Sequence, residues 1–289
     1  MKKRSRVWLV VLCGLLIFTG AALAAPSDKE LHGGVYGNGS HALALATGSP
    51  GQLGLVKALA EAFAAKEDVK ITWKEAQSGE SLRLFKEKAV DLIMVHAPDA
   101  EKQAVNDGWA TKRTLIGSNE FFIVGPPDDP AKIADAKTAI DAYRRLAQSQ
   151  AKFFSRGDNS GTHMKEMVIW KKAGINPAGD WYVVTKDYMA PTMKRANDER
   201  GYFMTDSSTW VAEKTDFPKL KILFRGDKML VNVYHALCQP PGATPGAAWA
   251  SKFIDFVGSK QGQKIIREYG QDRYGEGIYN DAAYAKKYE

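Results

Sequence analysis

The residues best equipped for chemistry lie together in Ser155-Arg156-Gly157-Asp158-Asn159-Ser160-Gly161-Thr162-His163. The segment carries a fixed cation at Arg156, hydroxyls at Ser155, Ser160 and Thr162, and two glycines that let backbone approach a ligand closely. Behind it Met164, Met167, Val168 and Lys171 recur at helical spacing, and Gly174 follows as a stop. The polar turn therefore opens a helix. A helix N-terminus presents unpaired N–H groups and the positive end of the macrodipole, and beside an arginine it can hold a small anion. The competing reading is local: Asp158 or Asn159 caps the helix, and Arg156 is a solvated charge.

In open α/β sheets ligands bind outside the carboxyl ends of the strands, so each strand-to-helix loop matters. Those loops hold Ala46-Thr47-Gly48-Ser49-Pro50-Gly51-Gln52, Gln77-Ser78-Gly79-Glu80-Ser81, His96-Ala97-Pro98, Lys186–Met189 and Thr205-Asp206-Ser207-Ser208-Thr209. They offer hydroxyls, bare backbone and little charge. Neutral donors with one planar arginine suit a dehydrated tetrahedral dianion, whereas a polyphosphate or nucleic acid would call for many Lys and Arg. Each loop also has a structural alternative. Ser49-Pro50-Gly51-Gln52 spells a capping box, Asp206 an N-cap, and His96 and His163 can be hydrogen-bonded structural histidines.

Enzyme motifs are nearly absent. In Gly157-Asp158-Asn159-Ser160-Gly161 the serine stands one place too late for a nucleophile elbow, and no H-E-x-x-H, P-loop or C-x-x-C occurs. Ser160 and His163 keep a secreted hydrolase open as an alternative. A sensor, or a binder of an organic carboxylate, is a further one.

The elements that must position these loops follow an export signal. Lys2, Lys3, Arg4 and Arg6 precede the apolar run Val7–Thr19, and Ala22-Leu23-Ala24 gives a cleavage site, so residues 1–24 are predicted to be a signal peptide. Cys13 follows Leu12 inside the apolar run and does not fit a lipidation site. The mature chain keeps only Cys238, which excludes an internal disulfide and argues against a metal centre. Those four basic residues make up more than half of the formal charge of +7, so what remains is too mild for nucleic acid or a membrane surface.

A chain of 289 residues, 45% hydrophobic, suits two α/β lobes. Gly33–Ser40 reads as a mobile lead-in. Strands are expected at His41–Ala46, Val69–Trp73 and Val90–Val95, with helices between them, implying a mostly parallel sheet covered on both sides. Further strands are expected at Phe121–Val124, Trp181–Thr185, Tyr202–Thr205, Leu220–Phe224 and Val231–Leu237. The expected division is lobe one from 41–119 and 223–270, lobe two from 120–222, and a polar surface tail over 271–289.

Three stretches carry a family resemblance: VDLIMVHAPDAEKQAVNDGWA (Val90–Ala110), NEFFIVGPPDDPAKI (Asn119–Ile133) and FFSRGDNSGTHMKEMVIWKKAGI (Phe153–Ile175). From Leu43 to Arg267 the chain resembles the tungstate-binding proteins of bacterial ABC importers, which belong to the two-lobed (type II) periplasmic solute-binding superfamily. The resemblance implies a cleft between mixed, mostly parallel sheets flanked by helices. It implies an oxyanion ligand, tungstate or molybdate, and a membrane ABC permease as partner. It also implies a periplasmic monomer with no cofactor, no protein-ligated metal and no catalysis. The family's S-R-G-D-x-S-G-T-H segment is intact from Ser155 to His163. Its T-T-T-S loop departs here to Ala46-Thr47-Gly48-Ser49, keeping two of the hydroxyls. The expected ligand contacts are Thr47, Gly48, Ser49, Ser78, Gly79, Arg156, Ser160, Gly161 and Thr162.

Overall fold

A computed structural model describes residues 33–289. The expected signal peptide, with Cys13, lies outside the described residues. The chain begins β1 (Gly33–Tyr36), β2 (His41–Thr47), α1 (Ser49–Gln52), α2 (Leu55–Ala64), β3 (Val69–Glu75), α3 (Ser78–Lys86), β4 (Leu92–Val95), α4 (Pro98–Asn106) and the long β5 (Thr111–Gly125). Next come α5 (Ala139–Ser149), β6 (Phe153–Ser155), α6 (Gly161–Ala173), β7 (Tyr182–Val184), α7 (Met189–Asp198), β8 (Tyr202–Asp206) and α8 (Ser207–Glu213). It ends with β9 (Lys221–Phe224), β10 (Val231–Cys238), α9 (Ala247–Gly258), α10 (Lys260–Glu268), α11 (Gln271–Tyr274), β11 (Asn280–Asp281) and α12 (Ala282–Ala285).

Strand order is β1-β3-β2-β4-β10-β5-β8-β6-β7, with β9 and β11 also paired to β5. The sheet is mixed. β2 runs parallel to β3 and β4, and β6 parallel to β7 and β8, as βαβ crossovers require. Between these groups β10 runs antiparallel to β4 and β5, and β5 antiparallel to β8. Residues Thr111–Glu120 of β5 pair with β10, and Phe121–Val124 pair with β8. Sequence pattern showed only the second half, because Thr111–Asn119 is polar and owes its extended form to a partner distant in the chain.

Period-two alternation sends neighbouring side chains to opposite faces. In β4, Leu92 and Met94 join a core with Leu43, Leu45, Trp73 and Phe253, while Ile93 and Val95 join Ala46, Phe85 and Leu237. In β5, Phe121 and Ile123 pack with Tyr143, Phe153 and Trp170, while Phe122 and Val124 pack with Phe154, Met193 and Phe203. Each such side chain contributes about 1.5–3 kcal/mol by leaving water. Cys238 is buried in the first of these cores. No helix among the described residues is long and apolar enough to cross a membrane.

Three expectations are corrected. Part of the glycine-rich lead-in forms β1, which pairs antiparallel with β3, and Tyr36 is buried. Residues 271–289 are not a surface tail: β11 pairs with β5, and Ile278, Tyr279 and Ala285 are buried. The periodic residues of α6 do not make its main core face: Met167 and Val168 are exposed, and Met164 alone packs, partly buried, against the core that holds Val95 and Leu237. The main buried face of α6 is Glu166, Ile169, Trp170 and Ala173. Trp170 decides that orientation, packing edge-on to Tyr143 at 4.4 Å and Phe153 at 5.5 Å.

Glu166 enters the core with Trp170. Its Oε1 accepts from Trp170 Nε1 at 3.1 Å and Tyr182 Oη at 2.6 Å, and burial pushes its carboxyl up from an ordinary 4.5 to about 7. A folded value above the unfolded one means the folded chain keeps a proton that the unfolded chain has released. Stability from this group is therefore lost as pH rises from about 4.5 to about 7. The expected outcome is that Glu166→Gln gains stability relative to wild type between pH 5 and pH 8, measured by urea unfolding. A stability difference that does not change with pH would contradict this assignment.

Candidate functional site

The Ser155–His163 turn joins β6 to α6, and its conformation follows from its residue types. Gly157 and Asn159 sit in the left-handed region, at φ +60° and +58°. Glycine is also required at 157 for space, since a Cβ there would lie 2.2 Å from Val184 Cγ1. Ser160 is the N-cap of α6, its Oγ accepting from His163 N at 3.2 Å. This corrects the alternative in which Asp158 or Asn159 caps the helix. Because the Ser160 hydroxyl accepts in that bond, it keeps its own proton to donate.

Arg156 is not a solvated charge. It is 1% exposed. Its Nε donates to the Asp187 carbonyl at 3.2 Å and one Nη to Asp158 Oδ2 at 2.5 Å. Asp158 Oδ1 accepts from Ser160 N at 3.1 Å, so the carboxylate fixes both the guanidinium and the loop. A guanidinium has five N–H donors in a planar fork. Two are engaged by protein here, and the rest meet no protein acceptor. Unmatched donors on a buried cation are costly unless an acceptor completes them, and a planar fork is suited to an oxyanion edge.

The loops of the first βαβ group reach this turn from the other side. A Cβ at Gly79 would lie 2.7 Å from the Asn159 carbonyl oxygen, and one at Gly161 would lie 2.2 Å from His96 Cε1. Both glycines are thus required where protein meets protein. Gly48 abuts Gln77, whose Oε1 would be 3.0 Å from an added Cβ. Ser78 begins α3, and its Oγ accepts from His96 N at 3.4 Å. The Thr47 hydroxyl donates to the Met94 carbonyl at 2.6 Å, so its proton is already committed. Ser49 does not close a capping box: Gly48 occupies the N-cap position, and Gln52 turns away to Glu75 at 2.8 Å. The Ser49 and Thr162 hydroxyls meet no protein partner among the described residues.

Two residues that no local pattern marks, Asn119 and Asn232, stand opposite each other on β5 and β10. They build a buried chain of hydrogen bonds. Asp206 caps α8, Oδ1 accepting from Thr209 N at 2.9 Å, and burial raises its carboxyl. Asn119 Nδ2 donates to Asp206 Oδ1 at 3.2 Å and to Ser208 Oγ at 2.8 Å. Asn232 Nδ2 donates to Asn119 Oδ1 at 2.7 Å, and Asn232 Oδ1 lies 2.7 Å from His96 Nδ1. No local pattern signals this. It exists only through the register of strands more than a hundred residues apart.

A serine–histidine nucleophile is not assembled. Ser160 Oγ meets the backbone of His163, while His163 Nδ1 accepts from Asn159 N at 3.1 Å. No group of three or more metal-binding side chains occurs among the described residues.

A family model described as a PBP superfamily domain matches residues 27–261. The tungstate-binding protein TupA of Peptoclostridium acidaminophilum is 30% identical over 287 residues, covering 98% of this chain and 99% of that protein. Among solved structures, the tungstate ABC transporter protein of Geobacter sulfurreducens is 40% identical with a TM-score of 0.72, covering 80% of this chain and all of that one. The tungstate-binding protein TupA from Desulfovibrio alaskensis is 34% identical, also with a TM-score of 0.72, covering 84% and 99%. The chain belongs to the PBP superfamily, among the tungstate-binding TupA proteins.

Proposed function

We propose that this protein is an exported, monomeric receptor that holds a small tetrahedral oxyanion, tungstate or molybdate, and delivers it to a membrane ABC permease without performing catalysis. The observation that carries this reading is the buried Arg156, whose fork has N–H donors without protein acceptors beside the N-terminus of α6. Around it stand donors of the neutral kind. The Ser160 hydroxyl proton, the Ser49 and Thr162 hydroxyls and the first amides of α6 are available, and Gly48, Ser78, Gly79 and Gly161 bring backbone close. Thr47 acts from behind, holding its loop to Met94. Asp158 and Asp206 both have their oxygens engaged by protein donors, which suits a ligand that only accepts.

The contributing loops come from two lobes in this proposal, one built from residues 41–119 and 223–270 and the other from 120–222. The change of β5 pairing from β10 to β8 between Glu120 and Phe121 supports a boundary there. A ligand gripped from both sides favours the closed arrangement over an open one by its difference in affinity.

Arg156→Ala is expected to weaken tungstate binding by about 1.5–3 kcal/mol, the value of a charge-assisted contact, and Arg156→Lys to recover only part of it, because an ammonium cannot make the planar fork. Titration calorimetry on the mature protein checks both, and near-wild-type affinity in the alanine variant would rule this site out. In solution scattering, saturating tungstate should reduce the radius of gyration. An identical profile with and without ligand would confine binding to one lobe.

A further inference from the structure

His96 is singled out by its place at the end of β4, yet nothing above uses its imidazole. The hydrogen-bond chain from Asp206 fixes its state. Asp206 Oδ1 accepts from Thr209 N, so it is an acceptor towards Asn119 Nδ2 as well. That orients the Asn119 amide, whose Oδ1 must accept from Asn232 Nδ2. The Asn232 oxygen is then what faces His96 Nδ1 at 2.7 Å, so Nδ1 carries the hydrogen. Nε2 is left as a bare lone pair, and no protein partner meets it among the described residues. The ring lies against Gly161 at the start of α6, between Tyr234 of β10 at 4.8 Å and Phe121 of β5 at 6.2 Å.

We propose that His96 walls the oxyanion site and takes up a proton on Nε2 when the anion binds, turning from a lone-pair acceptor into a donor to the ligand. This rests on the oxyanion reading of the Arg156 site. The proton comes from solvent, a new Nε2–H bond forms, and no other bond changes. Without the anion, partial burial favours the neutral imidazole and pushes its value down to about 4, with Arg156 and Lys165 acting in the same direction. The titratable and charged groups facing it are Arg156 from the β6–α6 turn, Lys165 of α6 and Tyr234 of β10. Among the described residues no carboxylate bonds it. A dianion beside Arg156 reverses the sign of the local field and favours imidazolium. A deprotonated oxyanion would otherwise face a lone pair, and a histidine that remained neutral would oppose binding.

The test is calorimetric titration of the mature protein with sodium tungstate at pH 6, 7 and 8, in buffers of different ionisation enthalpy. Wild type should take up close to one proton per anion at pH 6, and affinity should fall by up to roughly tenfold per pH unit as pH rises, since the complex holds more protons than the free protein. His96→Gln keeps a neutral side chain that can donate to Asn232. It should bind tungstate more weakly at pH 6, with no proton uptake and a flat pH dependence. Wild type that binds with no proton uptake would overturn this proposal alone. Uptake that persists in His96→Gln would overturn the assignment to His96, and Glu166→Gln and Asp206→Asn then test the other buried carboxyls raised by burial. Wild type that binds neither tungstate nor molybdate would overturn the oxyanion reading and this proposal with it. Where the variant fails to fold, absence of uptake in the wild-type series still overturns the proposal, and the imidazole nitrogen shifts of His96 by NMR with and without tungstate assign the proton.

Discussion

A guanidinium out of water is the constraint on which the rest of this structure depends. Arg156 is buried, and a buried cation left without partners costs several times what an ordinary hydrogen bond returns. Asp158 offsets part of that cost, but a single carboxylate and one backbone carbonyl cannot meet five N–H groups. The turn is shaped around this shortfall. Gly157 and Asn159 take left-handed backbone so that Asp158 can reach back to the guanidinium and still accept from Ser160 N. Ser160 then caps α6 with its oxygen and keeps its proton.

Charge alone would not make such a site selective. Close approach of the opposing loops supplies the shape, and it explains why Gly79 and Gly161 are glycines: each has another segment where a side chain would go. The chain from Asp206 through Asn119 and Asn232 to His96 ties the α8 cap to the loop that meets α6, passing through β5 and β10. Those two strands also join the parallel groups at either end of the sheet. A movement about them would therefore be felt along a continuous line of hydrogen bonds.

Much of this was legible in the sequence, for physical reasons. The βαβ rhythm of the first part and the polar turn after Phe153-Phe154 are local patterns, and local patterns set local structure. Asp206 was readable as an N-cap because capping depends on neighbours alone. Long-range pairing hid the rest. The polar half of β5 becomes a strand only against β10, Asn119 and Asn232 meet only through that register, and residues 271–289 look soluble until Ile278 and Tyr279 are placed in the core. Ser49 shows the opposite failure. A capping box fits its spacing, yet Gln52 finds Glu75 and the box never forms. On α6 the apolar spacing that includes Met167 and Val168 points to a face that is exposed at both. One tryptophan packed edge-on against Tyr143 and Phe153 outweighs several smaller side chains.

Ligand binding is placed at the Arg156 fork and the first turn of α6. The most direct measurement is anomalous diffraction from a crystal grown with tungstate, since tungsten is located independently of any assumption about the ligand. One strong peak is expected, bounded by Arg156, Ser160 and Thr162, with ligand oxygens about 2.7–2.9 Å from the guanidinium nitrogens, the range of charge-assisted bonds. A fully occupied tungsten site elsewhere, with the Arg156 donors still unmatched, would contradict it.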